Sequence, residues 1–118
     1  LDKGCYNILQ PNCTMSTGIS YIRKIAALTD SYGKLVNPHA YIPGTGVLQS
    51  MHLVASYTNF TWLEYPCDPP TLTPQAFQGI VKENFLVEAD GCIPMPQKPG
   101  FGIEIDEELI RRYSILKG

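Results

Sequence analysis

Short apolar runs alternate with amphipathic stretches along the first half of the chain, and the alternation predicts a repeating unit. Tyr6-Asn7-Ile8-Leu9-Gln10 reads as a short strand ended by Pro11, which has no amide hydrogen to offer a sheet ladder. Ser16-Thr17-Gly18 supplies helix-start chemistry. Ile19, Ile22, Ile25 and Ala26 then recur at helical spacing, with Arg23, Lys24 and Asp30 on the other side, until Gly33 stops the helix. Lys34–Asn37 predicts a second strand, and a loop from Pro38 to Gly46 follows it. Val47, Leu48, Met51, Val54 and Ala55 predict a second amphipathic helix ending near Asn59, with Thr61-Trp62-Leu63 as a third strand. The order βαβαβ is the pattern of an α/β fold with a parallel sheet.

The pattern changes near Cys67. Pro66, Pro69, Pro70 and Pro74 predict a connector that cannot sustain long regular structure. Asn84–Val87 and Cys92-Ile93 flank the turn pair Asp90-Gly91 and predict a hairpin, with Pro94 and Pro96 confining its second strand to an edge. Pro99-Gly100-Phe101-Gly102 predicts a rigid turn. Asp106 caps a final helix whose first turn holds Glu107 and Glu108 and whose last holds Arg111 and Arg112, matching both ends of the backbone dipole. The predicted organisation is therefore βα units over residues 1–66 and a connector, hairpin and terminal helix over 67–118.

Three polar residues each follow an apolar run: Asn12 after Pro11, His39 after Pro38 and Glu64 after Trp62-Leu63. They are 27 and 25 residues apart, close to the roughly 30 residues of a strand with its returning helix. All three thus sit at equivalent strand ends, which in a parallel α/β barrel converge on one active-site face. Two or three βα units cannot close a barrel, which needs eight strands and typically ~250 residues, so the chain is expected to be one portion of a larger α/β barrel with further units upstream, an open three-stranded sheet being the alternative. His52, between Met51 and Leu53 in mid-helix, predicts a packing or surface role. Asp68, Glu83, Glu88, Glu104, Asp106, Glu107 and Glu108 show no convergent pattern and are assigned to no metal.

Composition narrows the partners. The chain has 118 residues, 44% of them hydrophobic, and a net charge of −2, and its nine basic residues form no stripe that would track a phosphate backbone. Nucleic acid is not an expected partner, nor is a membrane, since no long apolar span or signal-peptide pattern is visible. The expected setting is cytoplasmic. Cys5, Cys13, Cys67 and Cys92 fit neither metal-binding spacing nor a dense disulfide scaffold, which predicts reduced, mostly buried thiols. Asn12-Cys13-Thr14 and Asn59-Phe60-Thr61 match the glycosylation triplet, a short pattern that matters only in a secreted protein.

These segments resemble, in order and nearly end to end, the C-terminal part of the enolase superfamily in the family of mandelate racemase and muconate lactonizing enzyme. Ile8-Leu9-Gln10-Pro11-Asn12 is similar to its sixth-strand segment, where the family usually has Asp in place of Asn12, and Thr17-Gly18 stands where a Gly-Gly pair is common. Pro38-His39 resembles the seventh-strand motif, Ser50-Met51-His52-Leu53 the helix after it, and Trp62-Leu63-Glu64-Tyr65 the eighth strand. The stretch from Gly91 to Ile105 resembles the return to an α+β capping domain. The resemblance implies an enzyme that abstracts a proton alpha to a carboxylate, with Mg²⁺ stabilising the enediolate. The magnesium ligands, three carboxylates, and the strand-two lysines would then lie upstream of Leu1. A seventh-strand His points to the branch rich in acid-sugar dehydratases, with a small carboxylate substrate, an acid sugar or 2-hydroxy acid, and homo-oligomers when full-length. The chain's other partners would be the rest of its own barrel and the capping domain.

By the same resemblance His39 is the acid/base, since imidazole exchanges protons near neutral pH. Glu64 is expected to hydrogen-bond the substrate carboxylate. Asn12 would accept a hydrogen bond from the ring without the negative charge an Asp supplies. Racemase or epimerase activity, a non-catalytic relative in which Asn12 marks loss of the dyad, and a free-standing ligand-binding α/β module are the alternative readings. Residues 1–118 alone are expected to be inactive.

Overall fold

Two strands of two residues each carry the sheet, far fewer than the apolar runs suggest. The computed structural model describes residues 1–115 and runs β1 (Ile8–Leu9), a π-helical turn (Cys13–Thr17), α1 (Gly18–Asp30), β2 (Leu35–Val36), α2 (Gly46–Val54), α3 (Pro74–Phe77) and α4 (Glu107–Tyr113). β1 and β2 pair in parallel, Ile8 opposite Leu35 and Leu9 opposite Val36. One further bridge joins Asn12 to His39, where the His39 amide donates to the Pro11 carbonyl at 2.9 Å. Pro11 lies between β1 and this bridge and has no amide to return to β2, and Pro38 has none to offer the segment on the other side of β2, where the Val36 amide donates to the Asn59 carbonyl at 3.0 Å.

The expected third strand is reduced to a single parallel bridge between Val36 and Phe60. Its amides have another acceptor: Asn37 Oδ1 receives the Thr61 amide at 3.3 Å, the Thr61 hydroxyl at 3.0 Å and the Trp62 amide at 3.2 Å. A side chain at the end of β2 thus takes bonds that a backbone ladder would otherwise make. The segment still lies alongside β2 and carries Glu64 to the same end of the sheet. The α/β class with a small parallel sheet is as expected.

α1 buries Ile22, Ala26 and Thr29 and leaves Arg23, Lys24 and Asp30 exposed, the face expected from its spacing. Gly18, at φ 72°, turns the chain from the π-helical turn into α1, a left-handed conformation that only glycine adopts without strain. The C-terminal end of α1 is tied to β2 by Asn59, whose buried Nδ2 donates to the Ala26 carbonyl (2.9 Å), Thr29 Oγ1 (3.3 Å) and the Lys34 carbonyl (3.3 Å).

α2 is buried on both sides. Leu53 packs with Cys13, Ile22, Ala26, Val36 and Phe60 in one core, while Val47, Leu48 and Met51 join Ala40, Phe77, Val81 and Phe85 in a second. Both Ser50 and Leu53 are buried and Ala55 is exposed, so the helix is wedged between two cores rather than lying on one. The second core recruits Leu72, Ile80, Ile93, Met95 and Ile103 from the C-terminal part of the chain.

That part keeps the predicted turns and terminal helix but not the predicted hairpin. Gly91 N–H donates to the Glu88 carbonyl at 2.9 Å and Glu88 N–H to the Cys92 carbonyl at 2.8 Å, yet no ladder extends from them. Pro94 and Pro96 supply no amides on one side, and Leu86, Val87 and Glu88 face solvent on the other. The pairing instead runs between Val81 and Ile105, an antiparallel bridge flanked by Lys82 N–H to the Glu104 carbonyl (3.0 Å) and Asp106 N–H to the Ile80 carbonyl (2.9 Å). The short helix α3 is capped by Thr73, with Pro74 at its first position. Asp106 Oδ1 caps α4 by accepting from Leu109 N–H at 2.9 Å. At Gly102, φ 71°, a Cβ would come within 2.6 Å of Pro96 Cβ, so this turn admits only glycine.

The thiols depart from expectation. Cys13 alone is buried; Cys5, Cys67 and Cys92 are exposed, and all four are free. Each of these three lies on an irregular segment and belongs to neither core. No helix among the described residues is long and apolar enough to cross a membrane.

Candidate functional site

The end of the sheet is built from the residues that follow its strands. β2 ends at Val36, and buried Pro38 turns the chain so that His39 projects from the rim with its side chain 45% exposed. Ala40 returns into the second core. The segment held by Asn37 brings Glu64 alongside, and its Oε2 lies 2.7 Å from His39 Nδ1. The same oxygen accepts the Ala40 amide at 2.7 Å. One carboxylate oxygen therefore receives both the ring of His39 and the peptide N–H that follows it. His39 Nε2 has no hydrogen-bond partner among the described residues.

Asn12 stands beside His39 through the backbone bridge, but its side chain turns the other way along its own chain. Oδ1 accepts the Thr14 amide (2.9 Å), the Thr14 hydroxyl (3.0 Å) and the Met15 amide (2.9 Å), capping the π-helical turn. Nδ2 is buried and unpartnered. The amide oxygen expected to accept from the imidazole is thus occupied by its own helix start, and the ring pairs with Glu64. The three positions picked from sequence spacing share one sheet end, and two of them touch. Asn37, which sets the place of the third segment, was not among them; its signal would have been its position 24 residues before Thr61, at the foot of the next strand.

His52 lies away from this rim, against the turn at Phe101. Its Nε2–H donates to the Phe101 carbonyl at 3.2 Å and its ring meets the Phe101 ring at 5.5 Å. That is the packing role its mid-helix position predicts. Two grooves, of about 320 and 370 Å³, are lined by Arg23, His52 and Tyr57 and by Met51, Trp62 and Met95 respectively, and neither includes Asn12, His39 or Glu64. The rim is open rather than enclosed.

Four of the acidic residues left unassigned, Glu83, Glu104, Asp106 and Glu107, have structural partners. Glu83 and Glu104 bracket Lys98 at 3.0 and 2.8 Å, and Glu83 Oε2 also accepts the Glu104 amide at 2.9 Å. That amide first, and the Lys98 ammonium second, hold Glu83 below the usual carboxylate range. Lys98 lowers Glu104, and the two carboxylates raise Lys98, Glu104 contributing first. Elsewhere burial pushes the Cys13 thiol and the Tyr65 hydroxyl up. Neither glycosylation triplet is accessible in form: Asn12 is a cap and Asn59 is buried. No three His, Cys, Asp or Glu side chains among the described residues are grouped to hold a metal ion. Mg²⁺ requires near-octahedral oxygen ligation, which an imidazole, an amide and one carboxylate do not provide. The residues present do not fit that ion.

Residues 1–109 match the family described as enolase C-terminal domain-like. The chain is 31% identical over 111 residues to an L-rhamnonate dehydratase of Saccharopolyspora erythraea, covering 92% of this chain and 27% of that protein. It is 28% identical over 116 residues to a D-galactarolactone cycloisomerase of Agrobacterium fabrum, covering 96% of this chain and 31% of that one. A mandelate racemase/muconate lactonizing enzyme from Sulfitobacter sp. superposes with a TM-score of 0.79 at 34% identity, over 98% of this chain and 28% of that structure. The chain thus spans less than a third of the length of each of these relatives. With the parallel strand ends and their polar rim, these likenesses establish that the chain belongs to the enolase superfamily, in the family of mandelate racemase and muconate lactonizing enzyme.

Proposed function

We propose that the chain supplies the sixth to eighth strand ends of a barrel enzyme that removes a proton alpha to a carboxylate, and that the whole enzyme is an acid-sugar dehydratase. Residues 1–66 form the barrel units, and 67–118 lead back to a capping domain. The observation that carries this reading is the His39–Glu64 contact of 2.7 Å at the open end of parallel strands. His39 is the acid/base, and Asn12 and Glu64 are its companions on the rim. The relative named as an L-rhamnonate dehydratase supports the choice of substrate class and reaction.

His39 takes the alpha proton on its unpartnered Nε2 while the C–H electron pair passes to the carbon beside the carboxylate. That pair expels the neighbouring hydroxyl, which leaves as water on receiving the proton from the ring. Imidazole suits both halves because it returns to its starting form. Magnesium, when bound in the whole enzyme, would supply charge stabilisation at the carboxylate, and its ligands would come from strands other than these. The relative named as a cycloisomerase favours a second reading, in which the proton is returned to carbon rather than to a leaving group.

The test is exchange of the alpha hydrogen with deuterium in the full-length gene product, with a panel of acid sugars. His39→Asn is expected to lower exchange by about 10²–10⁴-fold, the usual contribution of a positioned acid/base. Exchange at the wild-type rate in that variant overturns the proposal.

A further inference from the structure

The geometry points to Glu64 as the residue that orients the His39 ring, with Asn12 withdrawn from that task to cap its own helix. The inference rests on the proposed proton transfer at His39 and names a positioning residue for it. Glu64 Oε2 already accepts the Ala40 amide at 2.7 Å, so at this oxygen the imidazole is the donor, through Nδ1 at 2.7 Å. A ring that carries its hydrogen on Nδ1 presents a lone pair on Nε2, the nitrogen that faces away from the pair. When Nε2 gains a proton, the positive ring remains against a carboxylate, as in a serine-protease triad.

The contact is held from both sides. Ala40 is buried in the second core, so the amide that Glu64 accepts is fixed by packing. Asn37 holds Thr61 and Trp62 and so fixes the approach of Glu64. Asn12 cannot replace it without leaving the cap: its single acceptor oxygen receives three donors within its own helix start, and Nδ2 can only donate. Orientation of the ring thus comes from the eighth-strand position rather than from the sixth.

The discriminating variant is Glu64→Gln in the full-length gene product, which keeps the size of the side chain and removes its charge. Alpha-deuterium exchange under saturating acid sugar is expected to fall by at least about 10²-fold with KM nearly unchanged, because the ring loses its partner while the substrate keeps its own contacts. In the wild type, ¹⁵N-histidine spectra are expected to show His39 protonated on Nδ1 when the ring is neutral, and Glu64→Ala is expected to shift the proton toward Nε2. Glu64→Asp, whose carboxylate is one methylene shorter, is expected to recover part of the lost rate. A Glu64→Gln variant with a raised KM and unaltered turnover overturns the inference and returns Glu64 to the substrate carboxylate, while leaving His39 as acid/base. A wild-type Nε2–H ring likewise overturns it. If His39→Asn keeps full exchange, the proton-transfer reading fails and this inference fails with it.

Discussion

Asn12 shows how local chemistry outcompetes a longer reach. Its amide oxygen is only a few bonds from the Thr14 and Met15 amides, so meeting them requires little ordering of the chain, whereas a contact across the strand to His39 must compete with that nearby pair. Asn12→Ala is therefore expected to destabilise the protein by about 1 kcal/mol in urea unfolding, the usual loss when such a cap is truncated, and Asn12→Asp to retain most of that stability. Equal stability of the alanine variant and the wild type would remove the capping role. The sequence identified His39 and Glu64 as strand-end residues because spacing reports register. It could not assign their partners, because partner choice depends on side-chain reach and on which donors are already satisfied.

At the scale of elements, both helices of the repeating units are legible from apolar spacing, and α4 from its cap and end charges. β-Branched and aromatic residues at 61–63 favour extension, yet the third strand shrinks to one bridge because Asn37 takes the Thr61 and Trp62 amides. The hairpin fails to form a ladder for a different reason: Asp90-Gly91 makes its turn while Pro94 and Pro96 supply no amides. Thr73-Pro74 is a helix-start pair that the sequence contained, and α3 follows it. The pairing of 80–82 with 104–106 is supported instead by the Glu83–Lys98–Glu104 cluster. Glu83 and Glu104 are held below the ordinary carboxylate range, so their stabilisation is complete above that range and is lost as pH falls through their lowered values. Lys98 is raised, so its share is complete below the ordinary lysine range and lost only as pH rises past its raised value. The melting temperature is expected to fall on acidification below about pH 4.5. Glu83→Gln should flatten that fall, and an unchanged pH profile in the variant would exclude the cluster as its source.

The molecule as a whole is extended, with a radius of gyration of 15.8 Å against about 13.5 Å for a compact domain of this length. Much apolar surface remains outside: Trp62 is 74% exposed, and Ile8 on β1 is 45% exposed beside an unpaired strand edge. Such surface promotes association. Sedimentation of the 118-residue chain is expected to show concentration-dependent self-association that Trp62→Asp weakens; a monomer at all concentrations would contradict this. α2 has a different consequence. Because its opposite faces close two cores, neither half of the chain can come away without baring a side of that helix. Heat should melt the strand-end rim and the C-terminal segment in one cooperative step, so that damage far from His39, at Phe77 or Phe85, loosens the very peptide on which Glu64 closes.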